Sequence, residues 1–392
     1  MPSVILSAAR TPFTKLGGSL APVTAVELGR AAARGALERA GVEPAQIDYV
    51  IFGQVIQAGA GHIPSRQVSL GVGIPEHVGS DTINKVCASG LRAVALADQA
   101  IRAGDRQLIL AGGMESMSNA PYLLRKARFG YRFGDDTLID SMVEDGLRDP
   151  WSRKQMYEQA SEIADELGLE RADLDAWALR SHERAVAAID AGRFAREIVP
   201  VEVQGRRGTT VVDQDEGPRR ETSLKALAAL RPLVPEHPTH TAGNSPGVTD
   251  GAGALVVADE EWARANGHTP LARILGVGAT ANRHDSLARV PAAAARIALE
   301  RAGLTPADVA RYEINEAFAS VALNSSRELG AAPEIVNVDG GAVALGHPVG
   351  ASGARLLTTL IRQLGETGGI GVAAICSGGG QGDAMVLDVL PQ

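Results

Sequence analysis

The chain has 392 residues, 45% apolar and 21% charged, with only 4% aromatics and 45 glycines. That length implies two or three domains, and the composition is that of a globular protein whose elements pack through small side chains. A net charge of −8 gives no basis for a nucleic-acid or anionic-membrane partner, and two cysteines without a CxxC or suitably spaced His exclude a disulfide framework and a zinc site.

The opening residues, MPSVILSAAR, lack the basic start and apolar run of a signal peptide. The charge-free stretch 367–382 is glycine-rich and too short to span a bilayer. A cytoplasmic protein without a membrane partner is expected.

The first helix is predicted by capping-box spacing at Thr24 and Glu27, an apolar face of Leu28, Ala31, Ala32, Ala36 and Ala40, and a stop at Gly41. The strand-like run YVIFGQVI follows, then a helical pattern after Cys87, then the strand LILAGG. Residues 121–248 differ in character. They carry most of the charge runs, the aromatics Trp151, Tyr157 and Trp177, a helical stretch over 155–192, and polar loops such as QGRRGTTVVDQDEGPRR. This region reads as an insertion able to cover a site, with the first half resuming near 250–259. A second helix is predicted after Pro291, ending at Gly303. The strand YEIN, a helix after Gly350 and the strand IGVAAIC complete the chain.

The order of elements is thus the same twice, and the residues repeat with it. RGALERAGVEPAQIDYV (34–50) recurs as RIALERAGLTPADVARY (296–312), and CASGLRAV (87–94) as GASGARLL (350–357), at nearly the same separation. A Gly-rich strand follows each copy, LILAGGMES and VAAICSGGG. The reading is two duplicated α/β halves, each opening with an amphipathic helix and each carrying a largely parallel sheet. The first half spans 1–120 plus about 249–269, the inserted loop domain 121–248, and the second half 270–392.

Cys87 meets small residues and then a helical pattern, so its thiol faces unpaired N–H groups at a helix start, which favour the thiolate. The competing reading is a small buried apolar residue. His347, before Pro348 in GGAVALGHPVGASG, is held in an extended conformation. Alone it reads as a structural histidine, but the repeat aligns Gly350 with Cys87, which places His347 just before the matching helix start. Cys376 ends an apolar strand before a glycine run, at the sheet edge where α/β folds bind ligands. GGGQG fits no Walker or dinucleotide spacing. Asn315 and Glu316 lie between a strand and an apolar helical run, where a buried carboxylate must either cap a helix or order a site.

Four segments, NKVCASG around Cys87, NEAFA from Asn315, GHPVGASG around His347 and CSGGGQG around Cys376, resemble the thiolase family in order and spacing. The likeness covers essentially the whole chain, including SAARTPFTKLGGSL, GGMESMSNAP and TAGNSPGVTDGAGA, and is strongest to the short-chain, acetoacetyl-CoA type. It implies a five-layered αβαβα fold with an inserted loop domain, commonly in a homotetramer or homodimer. Acyl-CoA and CoA would be substrates, with no resident cofactor and no metal, and fatty acid metabolism is the implied setting. It further implies that Cys87 is the acyl-accepting nucleophile, His347 its base, and Cys376 the group that moves the α-carbon proton. Asn315, through a water, would form one oxyanion hole with His347, and the N–H groups of Cys87 and Gly378 the other. CoA contacts would fall to Arg219, Ser245, Met156 and Phe318. The chain departs from the family at Gln155 and Tyr157, flanking Met156 where a His-Met-Gly run is common, and at Pro246, where a serine usually touches the pantetheine arm.

A broader-chain 3-ketoacyl-CoA thiolase is the near alternative. A decarboxylating ketoacyl synthase would carry one Cys and two His, and Cys376 disfavours it. From another class, a non-catalytic acyl-CoA-binding scaffold would not need all four reactive positions.

Overall fold

A computed structural model describes residues 3–206 and 208–392. The chain begins with a strand, not a helix: β1 (Ser3–Arg10) is buried along its whole length, so it shows no apolar–polar alternation to mark it. Helix α1 (Ala25–Ala40) follows, with the Thr24–Glu27 capping box and Gly41 in the left-handed conformation. Next come β2 (Tyr49–Gly53), α2 (Pro64–Gly71), β3 (Gly79–Ile83), α3 (Ser89–Arg102) and β4 (Leu108–Ser116). The chain then leaves the sheet and returns as β5 (Thr249–Asp259), which lies between β4 and β1.

The second half repeats the plan with β6 (Ala272–Ala281), α6 (Val290–Ala302), β7 (Arg311–Ile314), α7 (Ala319–Leu329), α8 (Ser352–Leu364), β8 (Gly369–Ser377) and β9 (Gln381–Val389). Here too a strand precedes the first helix, which carries Pro291 in its first turn and stops at a left-handed Gly303.

The strand order is β3-β2-β4-β5-β1 in one half and β6-β9-β8-β7 in the other. The two sheets join edge to edge only where Val4 and Ile5 pair with Arg273 and Ala272. Each sheet is mixed, which corrects the expectation of a largely parallel one. β2 runs parallel to β3 and β4, and β7 to β8, but β5 and β9 are antiparallel to both of their neighbours. β9 returns from β8 through a tight turn, whereas β5 comes back antiparallel to β4 only after the long excursion, and element order alone could not reveal either pairing.

Five layers result. α1 and α2 cover one sheet, α6 covers the other with α7 beside it, and α3 and α8 are packed between the sheets. The middle helices meet backbone to backbone at their starts. A Cβ on Gly90 would come within 2.9 Å of Ala354 N, and one on Gly353 within 2.2 Å of Leu91 N. Glycine at these matching positions brings both helix starts, and the loops before them, to one place.

In the excursion, the expected single helix over 155–192 is two, α4 (Met156–Glu166) and α5 (Arg171–Asp190), broken where Gly168 takes φ +61°. Part of the segment read as polar loop pairs as strands, Val201–Gly205 with Gly208–Val212; Arg207 lies outside the described residues.

α5 is tied to the second half through Glu316, which is buried. Its Oε1 accepts from Trp177 Nε1 (2.9 Å) and Asn337 Nδ2 (3.0 Å), and its Oε2 from Ser181 Oγ (2.7 Å) and Val343 N (2.9 Å). This carboxylate orders a junction, and through Val343 N it also holds the first turn of the short helix Ala342–Leu345. Truncation to alanine would leave Trp177 Nε1 and Val343 N without a partner and leave Ser181 Oγ and Asn337 Nδ2 with only Gly341 O and Ile314 O. Glu316→Ala is therefore expected to lower unfolding free energy by at least about 3 kcal/mol, read as a lowered denaturant midpoint.

Candidate active site

Cys87 lies one residue ahead of the cap of α3, in a loop strained at Val86, a β-branched residue with φ +44°. Ser89 Oγ fastens the loop, accepting from Lys85 N (2.8 Å) and donating to Val86 O (2.7 Å). The Cys87 Sγ faces its own N–H and that of Gly378, both of which favour the thiolate. Burial outweighs them and pushes the thiol up to about 12. The expectation of a lowered thiol pKa at the helix start is therefore overturned, because desolvation of the charged sulfur exceeds what two N–H groups return.

His347 is buried, and its ring is fixed from both sides. Ser352 Oγ donates to Pro348 O (2.9 Å), so it must accept from His347 Nδ1–H (2.6 Å). That assigns the tautomer and leaves Nε2 as a lone-pair acceptor, 3.5 Å from Asn315 Nδ2. Thr249 Oγ1 accepts from the His347 N–H at 3.0 Å. Burial, and then the charge of Arg355, push the imidazole down to about 3, so it is neutral at physiological pH. Cys376 ends β8, fully buried. Burial and the proximity of Cys87 hold its thiol well above the ordinary value.

These groups open onto one cavity of about 410 Å³ with a mainly apolar lining, in the size range of small-molecule sites. Cys87, His347, Cys376 and Gly378 lie in its wall, as do Arg219, Ser245, Met156 and Phe318. Asn315 is set behind His347, not in the wall. It is fully buried, and its Oδ1 has no protein partner. Arg219 is exposed, makes no ion pair among the described residues, and its N–H donates to His182 Nδ1 (3.1 Å). Ser245 Oγ is buried beside the neighbouring Pro246 without a hydrogen-bond partner.

Met156 and Tyr157, at the start of α4, pack with Leu287, Phe318 and Cys376 at one side of the cavity. Trp151 lies outside, its ring 3.3 Å from where a Cβ on Gly379 would sit. It thus backs the glycine loop that carries the Gly378 N–H. Sequence reading missed Ser352 and Glu115. Ser352 was visible in the ASG repeat as the counterpart of Ser89. Among the described residues no group of three or more His, Cys, Asp or Glu could hold a metal, and no helix is long and apolar enough to cross a membrane.

A strained cysteine loop, a neutral histidine with a free Nε2, and a second buried thiol on one apolar cavity define an acyl-transfer type of centre, and the comparisons agree. The thiolase N-terminal domain matches residues 3–261 and the thiolase C-terminal domain residues 268–389, and the chain belongs to the thiolase family. It is 47% identical over 389 residues to the acetyl-CoA acetyltransferase of Escherichia coli (strain K12), covering 99% of each chain. It is also 47% identical over 390 residues to acetyl-CoA acetyltransferase 2 of Arabidopsis thaliana, covering 98% of this chain and 96% of that one. The crystal structure of the Bacillus anthracis acetyl-CoA acetyltransferase superposes with a TM-score of 0.96 at 38% identity, covering 99% of both chains.

Proposed function

We propose that this thiolase is an acetyl-CoA C-acetyltransferase, interconverting two acetyl-CoA with acetoacetyl-CoA plus CoA through an acetyl-Cys87 intermediate. The single observation that carries this is the neutral Cys87–His347 arrangement, with its free Nε2, on an apolar cavity shared with Cys376. His347 Nε2 takes the thiol proton as Sγ attacks the acetyl carbonyl, and CoA leaves with a proton. That proton comes from Cys376, whose thiolate then removes the α-proton of a second acetyl-CoA. The resulting carbanion attacks the acetyl-Cys87 carbonyl, a C–C bond forms, the C–S bond breaks, and Cys87 is released.

The N–H groups of Cys87 and Gly378 are the oxyanion donors for the acyl-Cys87 carbonyl, and Asn315 with His347 serves the enolate through a bridging water. Arg219 at the mouth supplies a cation for CoA phosphate, with Ser245, Met156 and Phe318 along the pantetheine and acyl path. CoA and its thioesters are thus substrates, and no resident cofactor is required. Tyr157 brings bulk beside Cys376 and Phe318, which favours a short acyl group. Residues 121–248 act as the covering unit between two halves, 1–120 plus 249–269 and 270–392. A homotetramer is consistent with the apolar residues carried outward there, Phe129 (85% exposed) and Phe133 (103%). A cytoplasmic role in fatty acid metabolism completes the reading.

The test is intact-mass and peptide mapping after mixing with acetyl-CoA, alongside turnover of ketoacyl-CoA of increasing length. An acetyl adduct on Cys87 and fastest thiolysis of acetoacetyl-CoA are expected. No adduct in folded, CoA-binding protein would overturn the chemistry, and faster turnover of eight- or twelve-carbon substrates would overturn the short-chain assignment.

A further inference from the structure

The duplication assigns a counterpart to every element of the centre, and one counterpart has been given no role. In the first half β4 pairs with β5 so that Glu115 faces Gly251, and with β2 so that Gly113 faces Gly53. In the second half β8 pairs with β9 so that Cys376 faces Gly382, and with β7 so that Ala374 faces Ile314. The registers superpose, and Glu115 stands where Cys376 stands. The loops match as well: NKVCASGLR and HPVGASGAR align Asn84 with His347, Cys87 with Gly350 and Ser89 with Ser352. Cys376 lies near Cys87, and correspondingly Glu115 touches Gly350.

Glu115 is fully buried and accepts three backbone N–H bonds, from Val55 (2.9 Å) and Gly350 (3.1 Å) at Oε2 and from Ile56 (3.2 Å) at Oε1. The donors belong to two loops, one after β2 and one between His347 and α8. Both contribute to the apolar cluster of Val55, Ile56, Met117 and Val349 against which Cys87 packs. The fit is close: a Cβ on Gly350 would lie 2.6 Å from Met114 O and 2.8 Å from Glu115 Oε2. Only glycine can answer Cys87 at that position, so the duplicated centre is reactive on one side and clamped on the other.

We propose that Glu115 is a positioning residue of the catalytic centre, its carboxylate locking the loop that carries His347 onto the strand end behind Cys87. This rests on the assignment of Cys87 and His347 as the reacting pair. Three donors converging on two oxygens require an acceptor-only group, and a glutamine would turn an N–H₂ toward N–H groups. Burial pushes the Glu115 carboxyl up to about 8, against the pull of the three N–H groups. The titratable groups facing it are Asp250 on β5 and Cys87, and Cys376 and His347 share the Cys87 cavity. Its charge is one of the causes that keep Cys87 a thiol.

The test compares wild type, Glu115→Gln and Glu115→Asp above the Glu115 value of about 8, by acetoacetyl-CoA thiolysis and by the pH dependence of iodoacetamide alkylation mapped to Cys87. Glu115→Gln is expected to lower kcat about 10- to 100-fold with KM for CoA nearly unchanged. Its Cys87 should alkylate at lower pH, at least about threefold faster in the mildly alkaline range, because a negative charge has gone. A merely structural role would leave that pH profile alone. Glu115→Asp keeps the charge, so its alkylation profile should stay at the wild-type position while kcat falls; it carries the test if the glutamine variant does not fold. Wild-type kcat in Glu115→Gln, or an unmoved alkylation profile in folded Glu115→Gln or a displaced one in Glu115→Asp, overturns the proposal. Failure of the thiolase reading itself would show separately, as absence of thiolysis in the wild type.

Discussion

Replacing Cys87 by alanine is expected to reduce thiolysis and condensation by at least about 10⁴-fold, with folding and CoA binding retained. Alanine fits the space of the half-buried thiol, so the loop held by Ser89 should keep its shape. What is lost is the group proposed to hold the acyl chain while the second substrate binds, and with it the covalent intermediate. Turnover by the variant within tenfold of wild type would show that the acyl group is carried elsewhere. Cys376 is the evident second carrier, and peptide mapping of an acetyl adduct would reveal it.

His347→Ala should lower kcat about 10²- to 10⁴-fold, the range for loss of a positioned base. With the thiol at about 12 and the imidazole at about 3, the resting pair is neutral, so attack on the thioester must be coupled to proton transfer to Nε2. The sign of the pH effect follows. Without the base, acylation depends on thiolate formed by hydroxide, so the deficit of the variant should shrink as pH rises toward about 12. A constant ratio of wild-type to variant acylation rates across alkaline pH would count against His347 as the base. Stability moves the other way in the wild type. The folded imidazole lies below its ordinary 6.5, so the contribution of the buried neutral ring is intact above 6.5 and declines as pH falls from 6.5 toward 3. Urea midpoints of wild type and His347→Ala should therefore converge as the medium is acidified through that window.

The helix caps at Thr24 and Gly41 and at Pro291 and Gly303 follow from local chemistry and lie where the residues put them. The duplication was equally plain, because the same loop and helix residues had to be kept at both starts that meet at Gly90 and Gly353. β1 escaped notice because burial on both faces removes alternation. The direction of β5 and β9 escaped because strand pairing is not a property of one segment. The break at Gly168 was hidden because a glycine in a helical pattern has two readings until its φ is fixed by packing.

By itself the sequence determined the family, and with it the motifs in which the proposed carriers of the chemistry, Cys87, His347, Cys376 and Asn315, stand. Only the tertiary structure decided their protonation and their support. Desolvation, which no motif encodes, sets the thiol high and the imidazole low. Ser352, which fixes the tautomer, and Glu115, which clamps the loop through Gly350, acquire meaning only once two distant halves of the chain are packed against each other.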